Sequence, residues 1–467
     1  MEDEIDQRSR RLQKSQNLRR ETQNTHLFDT VTEVFTVIAA VRLMRIEYGG
    51  AFADLLNEKG KGSGKNEMAY AERTLGFCTR DLDDRDLKLV TEIVGGTIRW
   101  RKYLDYLIQC LCHDDTSFRN MEPLLLQILR IGFYEIGKLD MPAYAVVDEN
   151  VSLAKYALRP GAGNLVNGIL RKLVSLKLGG DARSQARALA TTYSHPVWMV
   201  RRWTKYLGQE AAIKLMIWNN ATPSFSLMVN SGKGLTRDDL LTKLDILKVL
   251  YEPSIHLDNF VRNKSGMQIV LQAGIRKEGL CSVQDESAGL AVSVLDPRPG
   301  DCIIDCCAAP GGKTLFMASC LNGQGMISAV DVNKGRLRIL KETADLQGLH
   351  NVITCVHADL RAFAHSTHSK FDKVLLDAPC SGLGVLSKRS DLHWNRRLED
   401  LEELKNLQDD LLDAASKLVE TGGVLEFQID PVDRYVPSDF LTKEGFFRSC
   451  PVKHSMDGAF VARLVRQ

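Results

Sequence analysis

Several absences narrow the field before any motif is considered. No apolar run approaches a membrane span; the longest candidates, such as Val37 to Val41, are short. Net charge is only +2, from 61 basic and 59 acidic residues, so a nucleic-acid surface has to be a local patch. The 11 cysteines include no paired Cys-x-x-Cys. Cys110-x-Cys112 and Cys306-Cys307 lack the spacing of a zinc site, and an odd number cannot fill a disulfide set, so no metal and a reducing compartment are expected. What is present, 44% hydrophobic and 26% charged residues over 467 positions, describes a soluble globular chain of several domains.

Residues 1–26 read as a basic disordered arm. Arg8, Arg10, Arg11, Lys14, Arg19 and Arg20 come without an acid among them, while Glu2, Asp3 and Glu4 argue against a transit peptide. With no clear targeting signal, a cytoplasmic or an organellar location, a plastid included, stays open. Residues 27–178 are helical in pattern. Val41, Met44 and Ile46 with Phe52, Leu55 and Leu56 give one face, Leu87, Val90, Ile93 and Val94 another, and Pro123 opens a third helix. Gly60–Gly64 and Pro160–Gly163 read as loops, and Gly179–Gly180 as a hinge within a linker, 179–194. Arg99-Trp100-Arg101-Lys102-Tyr103 interleaves cations with aromatics, a pattern shared by RNA contacts and by solvated helix faces. Residues 195–284, with one helix over Val200 to Trp218 and short strand patterns after it, predict a small α+β module.

The last segment, 285–467, carries the densest chemistry. An apolar run, Cys302 to Ile304, ends at Asp305, and a Pro-Gly-Gly turn leads into a helical pattern. Three more apolar runs close on Asp331, Asp359 and Asp377, which predicts carboxylates along one edge of a parallel sheet. The loop is no phosphate cradle, because Cys307 stands where a P-loop needs its first Gly, and no Gly-x-Gly-x-x-Gly follows the strand. An acid ending the second strand suits a ribose diol, so a ribose-bearing ligand without phosphate is the better fit. S-adenosylmethionine has that character, with Lys313 and the loop amides facing its carboxylate.

Cys307-Ala308-Ala309-Pro310-Gly311-Gly312-Lys313, followed by Asp377-Ala-Pro-Cys380-Ser-Gly-Leu-Gly384, resembles the RsmB/NOP-type RNA (cytosine-5) methyltransferases. The resemblance implies a multidomain chain: an all-α NusB-like RNA-binding domain over 27–178, matched by Val166-Asn-Gly-Ile-Leu-Arg-Lys172, then a small α+β RNA-positioning domain, then an α/β Rossmann-like methyltransferase domain. It also implies that Cys307 to Lys313, Asp331, Asp359 and Asp377 line the S-adenosylmethionine site, with Asp377 also near the target base. The partner expected is RNA, chiefly ribosomal RNA in this branch, with no membrane and no metal; the sequence leaves the oligomeric state open, with a monomer as the expectation. Lys388, Arg389, Trp394, Arg396 and Arg397, cations around an aromatic just beyond Cys380, suit an entering RNA strand.

Carbon 5 of cytosine is a poor nucleophile until a thiolate adds to carbon 6. The family uses two cysteines. The one in Pro-Cys-Ser-Gly, here Cys380, assists product release, and the attacking one sits in a Thr-Cys-Ser sequence after the fifth strand. That sequence is missing: Thr421-Gly-Gly-Val-Leu425 runs into Glu426-Phe-Gln-Ile-Asp-Pro431. Between Phe427 and Phe446 there are two prolines and no helical run of normal length, although a crossover normally takes a dozen or more residues. The family pattern resumes at Phe446-Phe447, so an internal loss on the order of 25 residues is expected, leaving the domain incomplete near its C-terminal end. Three readings follow: a methyltransferase by descent that retains S-adenosylmethionine binding, its activity either lost or carried by Cys380 as substitute nucleophile with Asp377; an inactive RNA-binding scaffold or truncated isoform; and a chain that does not persist.

Overall fold

The computed structural model describes residues 34–49, 84–175 and 186–466. The basic arm, the face of Phe52, Leu55 and Leu56, the Gly60–Gly64 loop and the Gly179–Gly180 hinge lie outside them. The described residues form two compact units: those up to 216 together with 389–394, and residues 217–388 with 395–466.

In the first unit, helices α1 (Val34–Gly49), α2 (Asp84–Leu111), α3 (Pro123–Gly137), α4 (Ala143–Ala157) and α5 (Pro160–Ser175) enclose one apolar core that includes Ile93, Ile128, Phe133 and Leu170. Pro160–Gly163, expected as a loop, is the first turn of α5: proline fits a first helical position because the missing N–H has no partner there. The charges in this core are matched. Arg130, 2% exposed, donates to Asp105 at 2.6 and 2.8 Å and to Glu47 at 2.6 Å, and Glu47 also accepts from Gln127 and Arg101. A buried ion set is tolerated only when the carboxylate oxygens and guanidinium protons find one another in this way.

The aromatic and basic run in α2 belongs to the same packing. Arg99 is buried, Arg101 pairs with Glu47 at 2.7 Å, and Lys138 lies 3.5 Å from the centre of the Trp100 ring and 5.0 Å from that of Tyr103. Arg99 and Arg101 are therefore taken up within the helical unit, and the aromatic rings of the run pack against Lys138, so much of the cation–aromatic pattern has a packing explanation.

The single helix expected over Val200 to Trp218 is two, α6 (Val197–Leu207) and a helix over Gln209–Asn220, divided at Gly208 with φ 81°. Residues 195–216, read from sequence as part of the α+β module, pack with the helical unit. His195 is fully buried, with its ring 5.4 Å from that of Trp203 and 4.4 Å from that of His393, and Ser194 Oγ accepts from the Lys102 amide.

The second unit holds two sheets. Strands β1 (Phe225–Val229), β2 (Tyr251–Pro253), β3 (Phe260–Asn263) and β4 (Cys281–Val283) form an antiparallel sheet in the order β2-β3-β1-β4, with α7 (Arg237–Ile246) between β1 and β2, started by a Thr236–Asp239 capping box. After α8 (Glu286–Leu295), strands β5 (Cys302–Asp305), β6 (Met326–Asp331), β7 (Ile353–His357), β8 (Phe371–Leu375) and β9 (Val419–Ile429) run parallel. The helices α9 (Gly312–Cys320), α10 (Lys334–Gln347), α11 (Leu360–Ser366) and α12 (Asp400–Ser416) connect them, as a parallel sheet requires. Strands β10 (Phe447–Arg448) and β11 (Phe460–Val461) pair apart, and β12 (Leu464–Val465) closes the order β12-β9-β8-β5-β6-β7.

Strand β9 pairs irregularly on both sides. Phe371 opposes Val419 but Lys373 opposes Val424; Leu464 opposes Ile429 but Val465 opposes Val424. From Ile429 to Phe447 the chain passes through turns and one 3-10 turn, Ser438–Phe440, with no α-helix. No described helix is long and apolar enough to cross a membrane.

The two buried histidines make the helical unit acid-sensitive. Burial, assisted by Lys102 and opposed by the Tyr193 carbonyl, holds His195 down at about 4 against 6.5 for a free imidazole; burial first, then His195 and Arg99, lowers His393 as well. A depressed histidine contributes stability that is complete above 6.5 and lost as pH falls toward 4, about 3 kcal/mol for a shift of this size. Urea midpoints followed by tryptophan fluorescence should fall between pH 7 and 4.5, and His195→Phe should flatten that slope. An unchanged slope in the variant would remove His195 as its cause.

Candidate active site

The register of the large sheet sets the site. Asp305 opposes Ala329 on β6 and Leu375 on β8, and Asp331 opposes His357 on β7. Four acids, Asp305, Asp331, Asp359 and Asp377, therefore stand at one carboxyl edge, either ending a strand or two residues past it. In an open parallel sheet this edge is where ligands bind.

Their surroundings differ. Asp305 is 1% exposed and accepts from Thr314 Oγ1 at 2.7 Å. Burial, with Asp377 nearby, pushes it up to about 7 against the opposing pull of Thr314 and Lys313. Asp331 accepts from two backbone amides, Ala309 at 3.0 Å and Asn333 at 2.7 Å, and so ties the β5–α9 loop to the end of β6. Asp359 caps α11 and forks onto Arg361, whose hydrogen bond lowers it to about 2. Asp377, about half exposed, accepts from Lys313 Nζ at 2.6 Å. That ion pair joins the Cys307–Lys313 loop to the Asp377–Gly384 loop.

The loop is tight for steric reasons. Gly311 has φ 109°, and a Cβ there would come within 2.2 Å of Leu340 on α10. Farther along, a Cβ on Gly384 would meet the Gly458 carbonyl at 2.3 Å, where Gly458 N donates to Gly384 O at 2.9 Å. Both positions exclude any side chain.

The cysteines separate by environment. Cys306 is buried and raised well above its usual range by burial. Cys307 is pushed up to about 12, by burial first and then by Asp305, Asp331, Asp377 and Asp359 together. Neither is a thiolate near neutral pH. Cys380 is exposed, and among the described cysteines only Cys110, in the helical unit, shares that property. Cys450 lies beyond β10, at the start of the short helix Pro451–His454.

The five residues expected to meet RNA are not one open surface. Lys388 bridges Asp285 at 2.6 Å and Asp457 at 2.9 Å. Arg389 pairs with Asp391, and Trp394 packs on the helical core with Nε1 donating to the Ile98 carbonyl at 2.7 Å. Arg396 donates to the carbonyls of Ser381 at 3.1 Å and Cys380 at 3.4 Å, so it braces the cysteine loop. Arg397 is the exposed member. Sequence reasoning missed Thr314, the partner of Asp305, and Gln408, whose Nε2 donates to the Pro379 carbonyl at 2.8 Å. Thr314 was within reach, being one residue past Lys313; Gln408 came from a helix with no motif to mark it.

The donor set fits S-adenosylmethionine. With Asp359 forked onto Arg361 and Lys313 paired to Asp377, Asp331 leaves the edge with a surplus of negative charge, which disfavours a phosphate and suits a ligand carrying a sulfonium, an ammonium and a ribose diol.

Residues 292–429 match the family described as 16S rRNA methyltransferase RsmB/F, residues 51–175 the NusB family, and residues 195–268 the RsmF/B-like ferredoxin-like domain. A probable ribosomal RNA small subunit methyltransferase B of Bacillus subtilis is 31% identical over 79% of this chain and 83% of its own. Ribosomal RNA small subunit methyltransferase B of Serratia proteamaculans is 31% identical over 74% of this chain and 79% of its own. Among solved structures, PH0851 superposes with a TM-score of 0.73 at 23% identity, covering 93% of this chain and 98% of that one. NSun6 from Pyrococcus horikoshii, solved with SFG, does so at 0.50 and 21%, covering 57% and 97%. At these identities the two structures speak for the fold alone.

The position of Asp305 gives a sign-definite test. An acid raised from 3.8 to about 7 favours the fold when neutral, so its contribution is lost as pH rises through 7, about 4 kcal/mol in all. Asp305→Asn cannot ionise and should exceed the wild type in urea midpoint at pH 8, the gap closing toward pH 4. A variant less stable at pH 8 would contradict the assignment.

Proposed function

The chain belongs to the family of 16S rRNA methyltransferases RsmB/F, and from that premise we propose that its carboxyl-edge site uses S-adenosylmethionine to methylate carbon 5 of a cytosine in small-subunit ribosomal RNA. The Lys313–Asp377 ion pair carries this reading, because it joins the methyl-donor loop to the loop that presents an exposed Cys380. The S-adenosylmethionine site would be Cys307, Ala308, Ala309, Pro310, Gly311, Gly312 and Lys313 with Asp331, Asp359 and Asp377. NSun6, solved with the analogue SFG, is in line with such a ligand.

Cys380 thiolate adds to carbon 6 of the cytosine, and the displaced ring electrons make carbon 5 nucleophilic. S-adenosylmethionine supplies the methyl group, carbon 5 forming the new bond as the methyl leaves sulfur. Ring nitrogen 3 takes up a proton from solvent as the thiolate adds, and the Asp377 carboxylate, held by Lys313, accepts a hydrogen bond from that N–H and stabilises the adduct. A base then takes the carbon 5 proton, the carbon 6 to sulfur bond breaks, and Cys380 is regenerated. Arg396 and Gln408, on the backbone carbonyls of residues 379 to 381, keep the thiol in place.

Cys380 acts here in place of the absent Thr-Cys-Ser cysteine. The irregular pairing of β9 and the helix-free passage after it support an internal loss at that point. RNA would be drawn first by Arg397, the exposed cation of its group.

Incubating the chain with unmethylated small-subunit rRNA fragments and methyl-labelled S-adenosylmethionine tests the reading. Transfer to cytosine carbon 5 is expected, falling at least roughly a thousandfold in Cys380→Ser. Transfer undiminished in Cys380→Ser would remove it as nucleophile, and no transfer by the wild type would leave only an RNA-binding role. Asp331→Ala should weaken S-adenosylmethionine binding about tenfold, read by calorimetry.

A further inference from the structure

A cavity of about 240 Å³ lies on the second unit, apart from the carboxyl-edge residues. Its walls include Trp218, from the last turn of the helix Gln209–Asn220, and Phe225, the first residue of β1. The hydroxyl residues Thr222 and Ser224 line it, as does Asn263, which is 6% exposed and whose Nδ2 has no hydrogen-bond partner in the protein. The volume is below the ~300–1,000 Å³ typical of sites for drug-sized ligands and suits one planar ring system with part of its sugar.

The charges decide what that ring system is. Each ionic group of the lining already has a counter-charge: Arg262 is held by Glu286, Lys264 pairs with Glu252 at 2.8 Å, and Asp285 pairs with Lys388 at 2.6 Å. With no surplus of positive charge the cavity is a poor phosphate site. Two aromatic surfaces, hydroxyls that donate or accept, and a buried amide short of a partner are the recognition set for a nucleobase lifted out of a single strand.

Its place in the fold ties it to the reaction. Asp285 lines the cavity, while the preceding residue, Gln284, packs on Gly312, where a Cβ would lie 3.5 Å from Gln284 Cδ. Gly312 opens α9 directly before Lys313. On the other side, Ser387 precedes Lys388 in the same loop that carries Cys380. Two consecutive residues thus reach the cavity and the donor loop.

We propose that this cavity is a base-binding subsite that receives an unpaired nucleobase of the RNA strand near the target cytosine, stacked on Trp218 or Phe225 and hydrogen-bonded by Asn263. The subsite rests on the RNA reading above. It holds the strand by a ring instead of by a phosphate, in a protein whose net charge is only +2.

Fluorescence anisotropy tests it with short labelled single-stranded RNAs tiling small-subunit rRNA, and with counterparts carrying one abasic ribose at each position in turn. Trp218→Ala and Phe225→Ala should each weaken binding roughly tenfold. One abasic position should weaken wild-type binding similarly, and that position should cost Trp218→Ala nothing further. Ser224→Trp, filling the mouth from an exposed position, should give the same loss without removing a wall, and melting curves check that each variant is folded. Wild-type affinity in all three variants, or abasic losses that add to theirs, overturns the subsite and leaves the RNA reading standing. A wild type that neither holds RNA nor transfers methyl overturns both.

Discussion

In a parallel sheet every strand ends at the same edge, and the site depends on that constraint. Because β5, β6, β7 and β8 run in one direction with Asp305 level with Ala329 and Leu375, an acid closing each strand has nowhere to go but the common edge. The Lys313–Asp377 pair joins two loops of that edge that are 64 residues apart in the chain. Asp331 does the same for the neighbouring loop through the Ala309 amide.

Crowding carboxylates at one edge has a consequence for reactivity. Burial first, and then the same acids that suit a cationic ligand, raise the thiols beside them, so Cys307 and Cys306 are held protonated at this edge. Asp305 itself is pushed to about 7 and shares its proton balance with the fold. Cys380, by contrast, is exposed, on a loop whose carbonyls are gripped by Arg396 and Gln408 and whose glycine, Gly384, lies against Gly458.

Strand β9 is where local and global demands part. The five parallel strands before and including it follow the alternating strand–helix order, whereas its continuation turns back without a helix and pairs β12 antiparallel. A bulge-like mismatch on each side accommodates the short connection. The C-terminal segment is still anchored: Arg463 donates to the Val294 and Leu295 carbonyls of α8 and to Asp430.

The sequence by itself determined the parallel sheet, the acids that close its strands, the tight Pro-Gly-Gly turn and the helical character of the N-terminal segment, because period, strand-ending residues and glycine requirements are local signals. It also predicted that no crossover helix follows Leu425, and the chain from Ile429 to Phe447 does run without an α-helix. Only the tertiary structure decided which charges are available. Lys388, Arg389 and Trp394 read as an RNA-facing run because cations beside an aromatic look alike whether solvated or paired; their partners Asp285, Asp457, Asp391 and the Ile98 carbonyl range from two to 296 residues away. The same holds for Arg101, paired with Glu47, and for residues 195–216, which pack with the helices before them because His195 and Trp203 find their burial there. Partners distant in sequence leave no periodic trace, so a charge's role is fixed only when the chain has folded.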